Sequence, residues 1–187
     1  MSRMKRAVFL DRDGVLNRTY IHEDGKTHPP ASPEEMEVLP GVQEACQALR
    51  EAGFLLIVVS NQPDVARGTQ SRAVVEAINE KLRRHLAVDE IRVCYHDNQD
   101  QCACRKPKPG LLLEAAGAWG IDINGSFIIG DRATDIEAGR NAGCKAVLIN
   151  AGPMEANRCQ PDFQAASLSE AAKWILSLHR PGHQISQ

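Results

Sequence analysis

The chain carries the sequence AVFLDRDGV at residues 7–15, in which four apolar residues lead directly into two acids and a glycine. A short apolar run bounded in this way predicts a buried strand, and Asp11 and Asp13 follow its carboxyl end. Residues i and i+2 of an extended chain point the same way, so both carboxylates can face one site. Gly14 allows the chain to turn sharply or to approach a ligand closely. Taken alone, the pattern fits either a reaction centre or an ordinary acid-rich turn.

The remainder of the chain alternates short apolar runs with helical patterns. Strands are predicted over residues 6–10, 54–59, 91–95, 127–129 and 146–149, and helices over 42–52, 72–86, 111–119, 134–142 and 168–178. This order predicts an α/β fold, a Rossmann-like domain with a central parallel sheet and helices on both faces. Residues 17–39 are polar and lack periodicity, and the tail from about residue 180 is expected to be frayed.

Size and composition predict one globular domain spanning residues 1–187. With 43% hydrophobic residues the chain can form a buried core. The balance of 22 basic against 24 acidic residues, with 4% aromatics, gives little support to a nucleic-acid-binding surface. Neither a signal peptide nor an apolar stretch of membrane-spanning length is visible, so we expect a cytoplasmic protein without a membrane partner. No extended apolar face suggests assembly, and a monomer is the default expectation.

Chemistry-bearing side chains also follow other predicted strands. The hydroxyl and amide groups of Ser60, Asn61 and Gln62 can hold phosphate oxygens, although a serine at this position can also simply cap a turn. Lys106 precedes a predicted helix and is a candidate partner for an anion. Asp131 directly follows a strand and is a better metal ligand than Asp135, which could be only a carboxylate stabilised by a helix dipole.

Three of the six cysteines lie close together, within residues 94–104. Cys94, His96, Cys102 and Cys104 offer three thiolates and one imidazole, a ligand set typical of a closed tetrahedral Zn²⁺ site. Because the protein would supply all four ligands, no position remains for an activated water, and the zinc should be structural. The alternative is a loop of reduced thiols with a chance histidine. The remaining thiols are expected to be ordinary packed or surface groups: Cys46, Cys144 and Cys159.

The four strand-end motifs, in this order, resemble those of the haloacid dehalogenase (HAD) superfamily of phosphotransferases. The resemblance extends from Arg6 to about Gly152. DRDG at residues 11–14, SNQ at 60–62, the cysteine–histidine loop and CRKP at 104–107 further resemble the branch, subfamily IIIA, of the heptose-bisphosphate and histidinol-phosphate phosphatases. The short spacings between motifs leave no room for a cap domain. Three loops must therefore cover the site: residues 17–39, 63–69 and 94–104.

The resemblance implies a role for each strand-end residue. Asp11 would be the nucleophile that forms an aspartyl-phosphate. Asp13 would be the general acid and then the general base, protonated at the start while Asp11 is ionised. Ser60 and Lys106 would stabilise the phosphoryl oxygens. Mg²⁺ would be held by Asp11, the backbone carbonyl of Asp13 and Asp131, and whether Asp135 takes part stays open. Substrate recognition would fall to Thr19, Tyr20, Ile21, His22, Asn61, Gln62, Pro63, Arg105 and Arg132.

The expected substrate is a small phosphorylated sugar. The resemblance implies removal of the C7 phosphate of D-glycero-D-manno-heptose 1,7-bisphosphate, because residues 66–68 (ARG) and Pro109-Gly110 look like those of the heptose enzymes. Residues 130–135 (GDRATD) look more like the histidinol-phosphate enzymes, which are the alternative together with other sugar-phosphate phosphatases. The preferred anomer at C1 stays open. Two non-catalytic alternatives are a zinc-containing binding protein with a phosphatase fold and a receiver-like signalling domain.

Overall fold

The computed structural model describes residues 4–21, 23, 25–150 and 153–179. Its strands are β1 (Arg6–Leu10), β2 (Tyr20–Ile21), β3 (Thr27–His28), β4 (Phe54–Asn61), β5 (Glu90–Cys94), β6 (Phe127–Gly130), β7 (Lys145–Ile149) and β8 (Phe163–Ala165). Its helices are α1 (Val42–Glu51), α2 (Arg72–His85), α3 (Gly110–Trp119), α4 (Ala133–Ala142), α5 (Pro153–Arg158) and α6 (Leu168–Ser177).

Six strands form one parallel sheet in the order β5-β4-β1-β6-β7-β8. Alternate residues of β1 pack on opposite faces: Val8 and Leu10 lie in one apolar cluster with α1, α2 and α6, and Ala7 and Phe9 lie in the other with α3 and α4. Burial on both faces explains why the strands read as continuous apolar runs. The predicted α/β fold with helices on both faces is confirmed.

The predicted helices and strands are all present, with boundaries shifted by one or two residues. The structure adds a two-stranded antiparallel hairpin, β2 and β3, within the polar segment 17–39, and it adds α5 and β8 after β7. Strands of two or three residues are too short to produce a detectable period of alternation. The predicted frayed tail lies outside the described residues. Among the helices that the structure describes, none has the length and apolarity needed to cross a membrane.

The sheet register brings the ends of three strands together. Leu10, the last residue of β1, pairs with Val58 on β4 and with Ile129 on β6. Parallel strands end at the same edge, so the segments that follow β1, β4 and β6 meet beside one another. On the outer side of β4, Asn61 pairs with Cys94, where the cysteine–histidine loop begins.

Candidate active site

Lys106 lies between two carboxylates at the carboxyl edge of the sheet. Its Nζ is 2.6 Å from Asp11 Oδ1 and 2.6 Å from Asp135 Oδ1, and it donates to the carbonyl oxygen of Val59 at 2.7 Å. The residue is 3% exposed. Burial tends to lower the pKa of this ammonium group, but Asp11 and Asp135 outweigh burial and raise the pKa above its ordinary value. Lys106 is therefore a permanent positive charge beside Asp11.

The polar residues at the end of β4 hold the other site residues in place. The Asn61 side chain donates to the carbonyl oxygen of Lys106 and accepts from its backbone N–H, both at 3.1 Å. Gln62 Nε2 donates to Asp13 Oδ2 at 2.7 Å and to Ser60 Oγ at 2.9 Å. Asn61 and Gln62, predicted as substrate contacts, line the cavity described below, but their amides are already bonded within the protein. Their observed contacts orient Lys106, Asp13 and Ser60.

Three acids cluster beside Lys106. Asp11, Asp131 and Asp135 offer carboxylate oxygens that lie within 4.8 Å of one another. Burial and, after it, the neighbouring carboxylates outweigh the lowering effect of Lys106, so the pKa of Asp11 is raised to about 6 and that of Asp131 to about 8. Asp131 Oδ1 is buried and has no hydrogen-bond partner among the described residues. A cluster of this kind carries excess negative charge and an unsatisfied acceptor.

These residues fit a hard divalent cation such as Mg²⁺, which prefers oxygen ligands. Asp11 and Asp131, the two predicted carboxylate ligands, lie together as required. The side chain of Asp13 is outside the cluster, so its backbone carbonyl remains the predicted ligand. Asp135 is inside the cluster, but one of its oxygens contacts Lys106 at 2.6 Å and the other accepts from the backbone N–H of Arg132 at 3.2 Å. Its observed contacts place Asp135 as a partner of the lysine.

Two glycines provide space for the acids. A Cβ atom on Gly14, whose φ is +88°, would lie 2.3 Å from Asp131 Oδ2. A Cβ atom on Gly130 would lie 2.1 Å from the Cβ of Asp135. Both distances are well below van der Waals contact, so any other residue at either position would displace an acid of the cluster.

Asp13 is held differently from Asp11. Its carboxylate accepts from Arg12 Nε and Nη2 at 3.0–3.2 Å, from Asn17 Nδ2 at 3.0 Å and from Gln62 Nε2 at 2.7 Å. Burial tends to raise the pKa of Asp13, but Arg12 and these donors lower it overall. The pKa of Asp13 is thus shifted downward while that of Asp11 is shifted upward, so the ligand-free site does not by itself favour the protonated Asp13 that a proton donor requires. The reason is the adjacent guanidinium, whose partner could not be identified from the sequence.

A cavity of about 570 Å³ opens above these residues. Asp11, Asp13 and Lys106 line it, so the charged groups are accessible to a ligand. Its walls come from all three loops predicted to cover the site, residues 17–39, 63–69 and 94–104, and also from α4 and α5. Its cationic side chains are Lys26, Arg67, Arg105, Lys106, Arg132 and Arg158.

The predicted substrate contacts divide into two groups. Those that line the cavity are Thr19, Asn61, Gln62, Pro63, Arg105 and Arg132. Tyr20 and Ile21 do not line it, because the Tyr20 hydroxyl donates to the carbonyl oxygen of Glu35 and the Ile21 side chain is 80% exposed on the hairpin. His22 lies outside the described residues.

Salt bridges connect two of the loops that surround the cavity. Arg67 donates from Nε and Nη2 to the two carboxylate oxygens of Asp97, at 2.7 and 2.8 Å, and contacts Asp64 at 3.2 Å. Arg105 Nε donates to Asn98 Oδ1 at 2.8 Å. Loop 63–69 is thereby fixed to the loop between Cys94 and Lys106.

The four predicted zinc ligands form one cluster. Cys104 Sγ is 3.2 Å from Cys94 Sγ, 3.4 Å from Cys102 Sγ and 3.3 Å from His96 Nδ1, and Cys94 Sγ is 3.7 Å from Cys102 Sγ. Sulfur atoms on a tetrahedron about 2.3 Å from a central Zn²⁺ would be about 3.8 Å apart, and the four ligand atoms here lie at or inside that separation. The sulfurs are too far apart for disulfides, and all are free thiols. The donor set therefore fits a tetrahedral metal ion.

Several residues of the cavity were not predicted from the sequence. The hairpin contributes residues 26–29, loop 63–69 contributes Arg67, and α5 contributes Glu155 and Arg158. Glu155 Oε2 accepts from the backbone N–H of Ala133 at 2.8 Å, which docks α5 against the start of α4. Arg67 had a signal only through the resemblance of residues 66–68 to the heptose enzymes. The other residues lie in loops or short elements, where residue type does not distinguish a cavity wall from a solvated surface.

Known proteins resemble this chain over most of its length. Residues 103–171 match a family described as HAD-hydrolase-like. The chain is 36% identical to D-glycero-beta-D-manno-heptose-1,7-bisphosphate 7-phosphatase of Pasteurella multocida, over 94% of the chain and 99% of that protein. It is 33% identical to the Escherichia coli protein of the same name, over 95% of the chain and 91% of that protein.

A solved structure shows the same similarity in three dimensions. D,D-heptose 1,7-bisphosphate phosphatase from B. bronchiseptica, complexed with magnesium and phosphate, superposes with a TM-score of 0.81 at 32% sequence identity. The match covers 92% of this chain and 99% of that one. The shared fold and the placement of the acids beside Lys106 thus agree with the HAD resemblance inferred from the motifs.

Proposed function

Because the chain belongs to the family of D-glycero-D-manno-heptose-1,7-bisphosphate 7-phosphatases, which are HAD-like phosphoric monoester hydrolases, we propose that it removes the C7 phosphate of this heptose bisphosphate. The observation that supports this most directly is the placement of Asp11, Asp13 and Lys106 on the wall of one cavity that also carries further cations. The products are heptose 1-phosphate and inorganic phosphate.

Asp11 is the nucleophile of the proposed reaction. One of its carboxylate oxygens attacks phosphorus, and the bond between phosphorus and the C7 oxygen breaks, which forms an aspartyl-phosphate. Lys106, fixed at 2.6 Å from Asp11, neutralises charge on the phosphoryl oxygens, and the Ser60 hydroxyl donates to them. The carboxylates of Asp11 and Asp131 and the backbone carbonyl of Asp13 would hold Mg²⁺. Its positive charge would offset the repulsion between a phosphate dianion and the acids.

Asp13 transfers protons in both halves of the reaction. It donates a proton to the departing C7 oxygen and, once ionised, accepts one from the water that hydrolyses the aspartyl-phosphate. The donors around Asp13 favour the ionised form that the second half requires. The arriving phosphate dianion has the opposite effect, because nearby negative charge favours a protonated carboxyl group.

The zinc that we propose for the cysteine–histidine cluster has a structural role. All four ligands come from the protein, so the ion activates no water. Cys104 is two residues before Lys106, and metal binding restricts the loop that delivers Lys106 and Arg105 to the site.

We propose that the second phosphate of the substrate, at C1, binds to cationic side chains of the cavity. Arg105 and Arg132 both line it, and the Arg132 side chain is exposed. We propose the β anomer as the preferred substrate, as in the name of the P. multocida relative. Action as a cytoplasmic monomer stays a prediction, which size-exclusion chromatography with light scattering tests for the oligomeric state.

Phosphate release from a substrate panel tests the proposed function. The panel contains the α and β anomers of the heptose bisphosphate, histidinol phosphate and hexose monophosphates, each assayed with Mg²⁺ and with EDTA. We expect the highest kcat/KM for the β heptose bisphosphate, no turnover in EDTA and recovery on adding Mg²⁺. Preference for histidinol phosphate would contradict the assigned substrate.

The Asp11→Asn variant tests the assigned nucleophile. It removes the attacking oxygen while keeping the side-chain volume, so we expect background release of phosphate and no phosphate adduct in mass spectra of acid-quenched, turning-over protein. The wild type should carry the adduct on Asp11. Equal, background-level release from the wild type and the variant would instead support a non-catalytic binding protein.

A further inference from the structure

Arg12, the residue between the two catalytic acids, is completely buried, with 0% exposure. Its Nε and Nη2 atoms donate to both oxygens of Asp13 at 3.0–3.2 Å. Its Nη1 atom donates to Asn79 Oδ1 at 2.7 Å, and neither Arg12 nor Asn79 lines the cavity. The guanidinium thus connects the proton-transferring acid to a residue 67 positions away in the chain.

Asn79 is a polar residue on the buried face of α2. The other buried residues of this helix are apolar: Val75, Ile78 and Leu82. Asn79 is 8% exposed, does not line the cavity and cannot contact a ligand there. A buried amide among apolar residues is unfavourable unless it is hydrogen-bonded, and the Arg12 guanidinium provides that bond. Its position on the helix therefore calls for an explanation other than packing.

We propose that Asn79 is a positioning residue for the phosphatase reaction, acting through Arg12 to orient the carboxyl group of Asp13 toward the leaving oxygen. This inference rests on the proposed function. The Arg12 side chain has several rotatable bonds, and a hydrogen bond from the Nη1 atom of its guanidinium group reduces the number of orientations in which that group can contact Asp13. Asn79 fixes that edge from α2, which packs on the sheet.

The orientation of Asp13 matters most when the leaving group is poor. An alkoxide such as the C7 oxygen of a sugar leaves with the electron pair of the P–O bond and needs the proton of Asp13 as it departs. A nitrophenolate is a stable anion and leaves without that proton. The value of kcat/KM depends on the steps up to and including the first irreversible one, in which the leaving group departs. Comparing kcat/KM for a sugar phosphate and for p-nitrophenyl phosphate therefore separates the effect of proton donation by Asp13 from other effects on the site.

The test measures kcat/KM for both substrates in Asn79→Leu, Asn79→Ala and Asn79→Asp. The first two remove the acceptor for Arg12 Nη1, and the third keeps an oxygen at the same place. In the leucine and alanine variants we expect kcat/KM to fall by a factor at least about tenfold larger for the sugar phosphate than for p-nitrophenyl phosphate. This difference is a part of the roughly 10²–10⁴-fold rate increase that a general acid contributes. The aspartate variant should stay within about threefold of wild type on both, because the acceptor that orients Arg12 is retained.

Ile78→Ala is the matched control, because it truncates an apolar residue of the same buried face and keeps Asn79 as the hydrogen-bond partner of Arg12. It should change kcat/KM for both substrates by the same factor. Equal losses on both substrates in the Asn79 variants, or no loss on either, would overturn the positioning role. If Asn79→Leu does not fold, the ratio in Asn79→Ala decides the question. Failure of the proposed function gives a different result from failure of the positioning role, because the wild type would then not hydrolyse the heptose bisphosphate. The ratio of kcat/KM for an alkyl phosphate to kcat/KM for p-nitrophenyl phosphate could still be measured with an alkyl phosphate that the wild type does hydrolyse.

Discussion

Single side chains determine how charge is distributed in the site. Lys106 Nζ lies 2.6 Å from a carboxylate oxygen of Asp11 and 2.6 Å from one of Asp135, while Asp131 has one buried oxygen without a partner among the described residues. The lysine therefore offsets part of the charge of two acids, and the cluster keeps an excess of negative charge that a cation bound by Asp11 and Asp131 would balance. Arg12 separately pairs with Asp13, so the two catalytic acids have opposite pKa shifts although one residue separates them.

Gly130 is a position at which one added methyl group should disrupt the site. In Gly130→Ala the new Cβ would meet Asp135 at 2.1 Å and push its carboxylate away from Lys106. We expect the free energy of unfolding to fall by about 1–3 kcal/mol from overpacking. We also expect kcat to fall by roughly 10²-fold, because small displacements near the reacting groups have large effects on rate.

Gly117→Ala is the corresponding control in urea denaturation and activity assays. Gly117 lies inside α3 with nothing within 4 Å of a Cβ atom, so alanine should stabilise the helix by roughly 0.5–1 kcal/mol and leave kcat unchanged. Wild-type stability and activity in Gly130→Ala would show that Asp135 need not remain where it is.

Secondary-structure elements and loops bring these side chains to one edge of the sheet. The segment from Cys94, the last residue of β5, to the start of α3 carries both the proposed zinc ligands and Lys106. Gly110, the first residue of α3, donates its N–H to the Ala103 carbonyl at 3.1 Å, and a Cβ there would lie 2.3 Å from the same oxygen. The loop is thus packed tightly against the start of α3, which limits how far Lys106 can move.

Loss of one zinc ligand should affect both stability and rate. We expect the purified protein to contain one zinc per chain and Cys104→Ser to lose it, because Cys104 Sγ contacts the other three ligand atoms at 3.2–3.4 Å. Removing a structural metal should lower Tm by several degrees, and the loosened loop should lower kcat through Lys106. Elemental analysis, thermal unfolding and phosphate release measure the three effects.

Cys159→Ser serves as the control for this experiment. Cys159 lies outside the cluster, and its Sγ contacts the Glu155 carbonyl oxygen at 3.3 Å, an interaction that a serine hydroxyl can replace. The variant should keep its zinc and its rate. Unchanged zinc content, Tm and kcat in Cys104→Ser would remove the case for a structural metal.

The molecule as a whole tolerates buried acids because the fold can supply counter-charges from separate elements. Asp11 and Asp131 nevertheless remain with raised pKa values of about 6 and about 8, against 3.8 for the ordinary group. The folded protein therefore holds protons that the unfolded chain has already lost. In the metal-free site, the free energy of unfolding should fall as pH rises from about 4 through 8.

Stabilisation by Mg²⁺ should accordingly depend on pH. The cation binds ionised carboxylates, so the increase in Tm on adding Mg²⁺ should be larger at pH 8.5 than at pH 5.5, in zinc-replete protein. Asp131→Asn should reduce both the increase and its dependence on pH, because it removes a ligand and the group with the higher pKa. An increase of equal size at both pH values would contradict a site built from these acids.

Much of the fold and site could be predicted from local features. Apolar runs and helical periodicity predicted every helix and strand except β2, β3, α5 and β8. The acids, the lysine and the zinc ligands were identifiable because each lies at a fixed place relative to a strand or to another ligand. The hairpin residues 26–29 and the α5 residues Glu155 and Arg158 were not predicted. Their elements are too short for periodicity, and a charge in a loop does not reveal which way it faces.

The chain order of strands, helices and ligand pairs was enough to indicate an α/β phosphatase fold with a zinc loop, because those features depend on neighbours in sequence. The pairing of Lys106 with Asp135, the bond between Arg12 and Asn79 and the opposite pKa shifts of Asp11 and Asp13 required the folded molecule. These depend on distances between residues far apart in the chain and on the removal of water around them, and neither quantity is encoded in a local pattern.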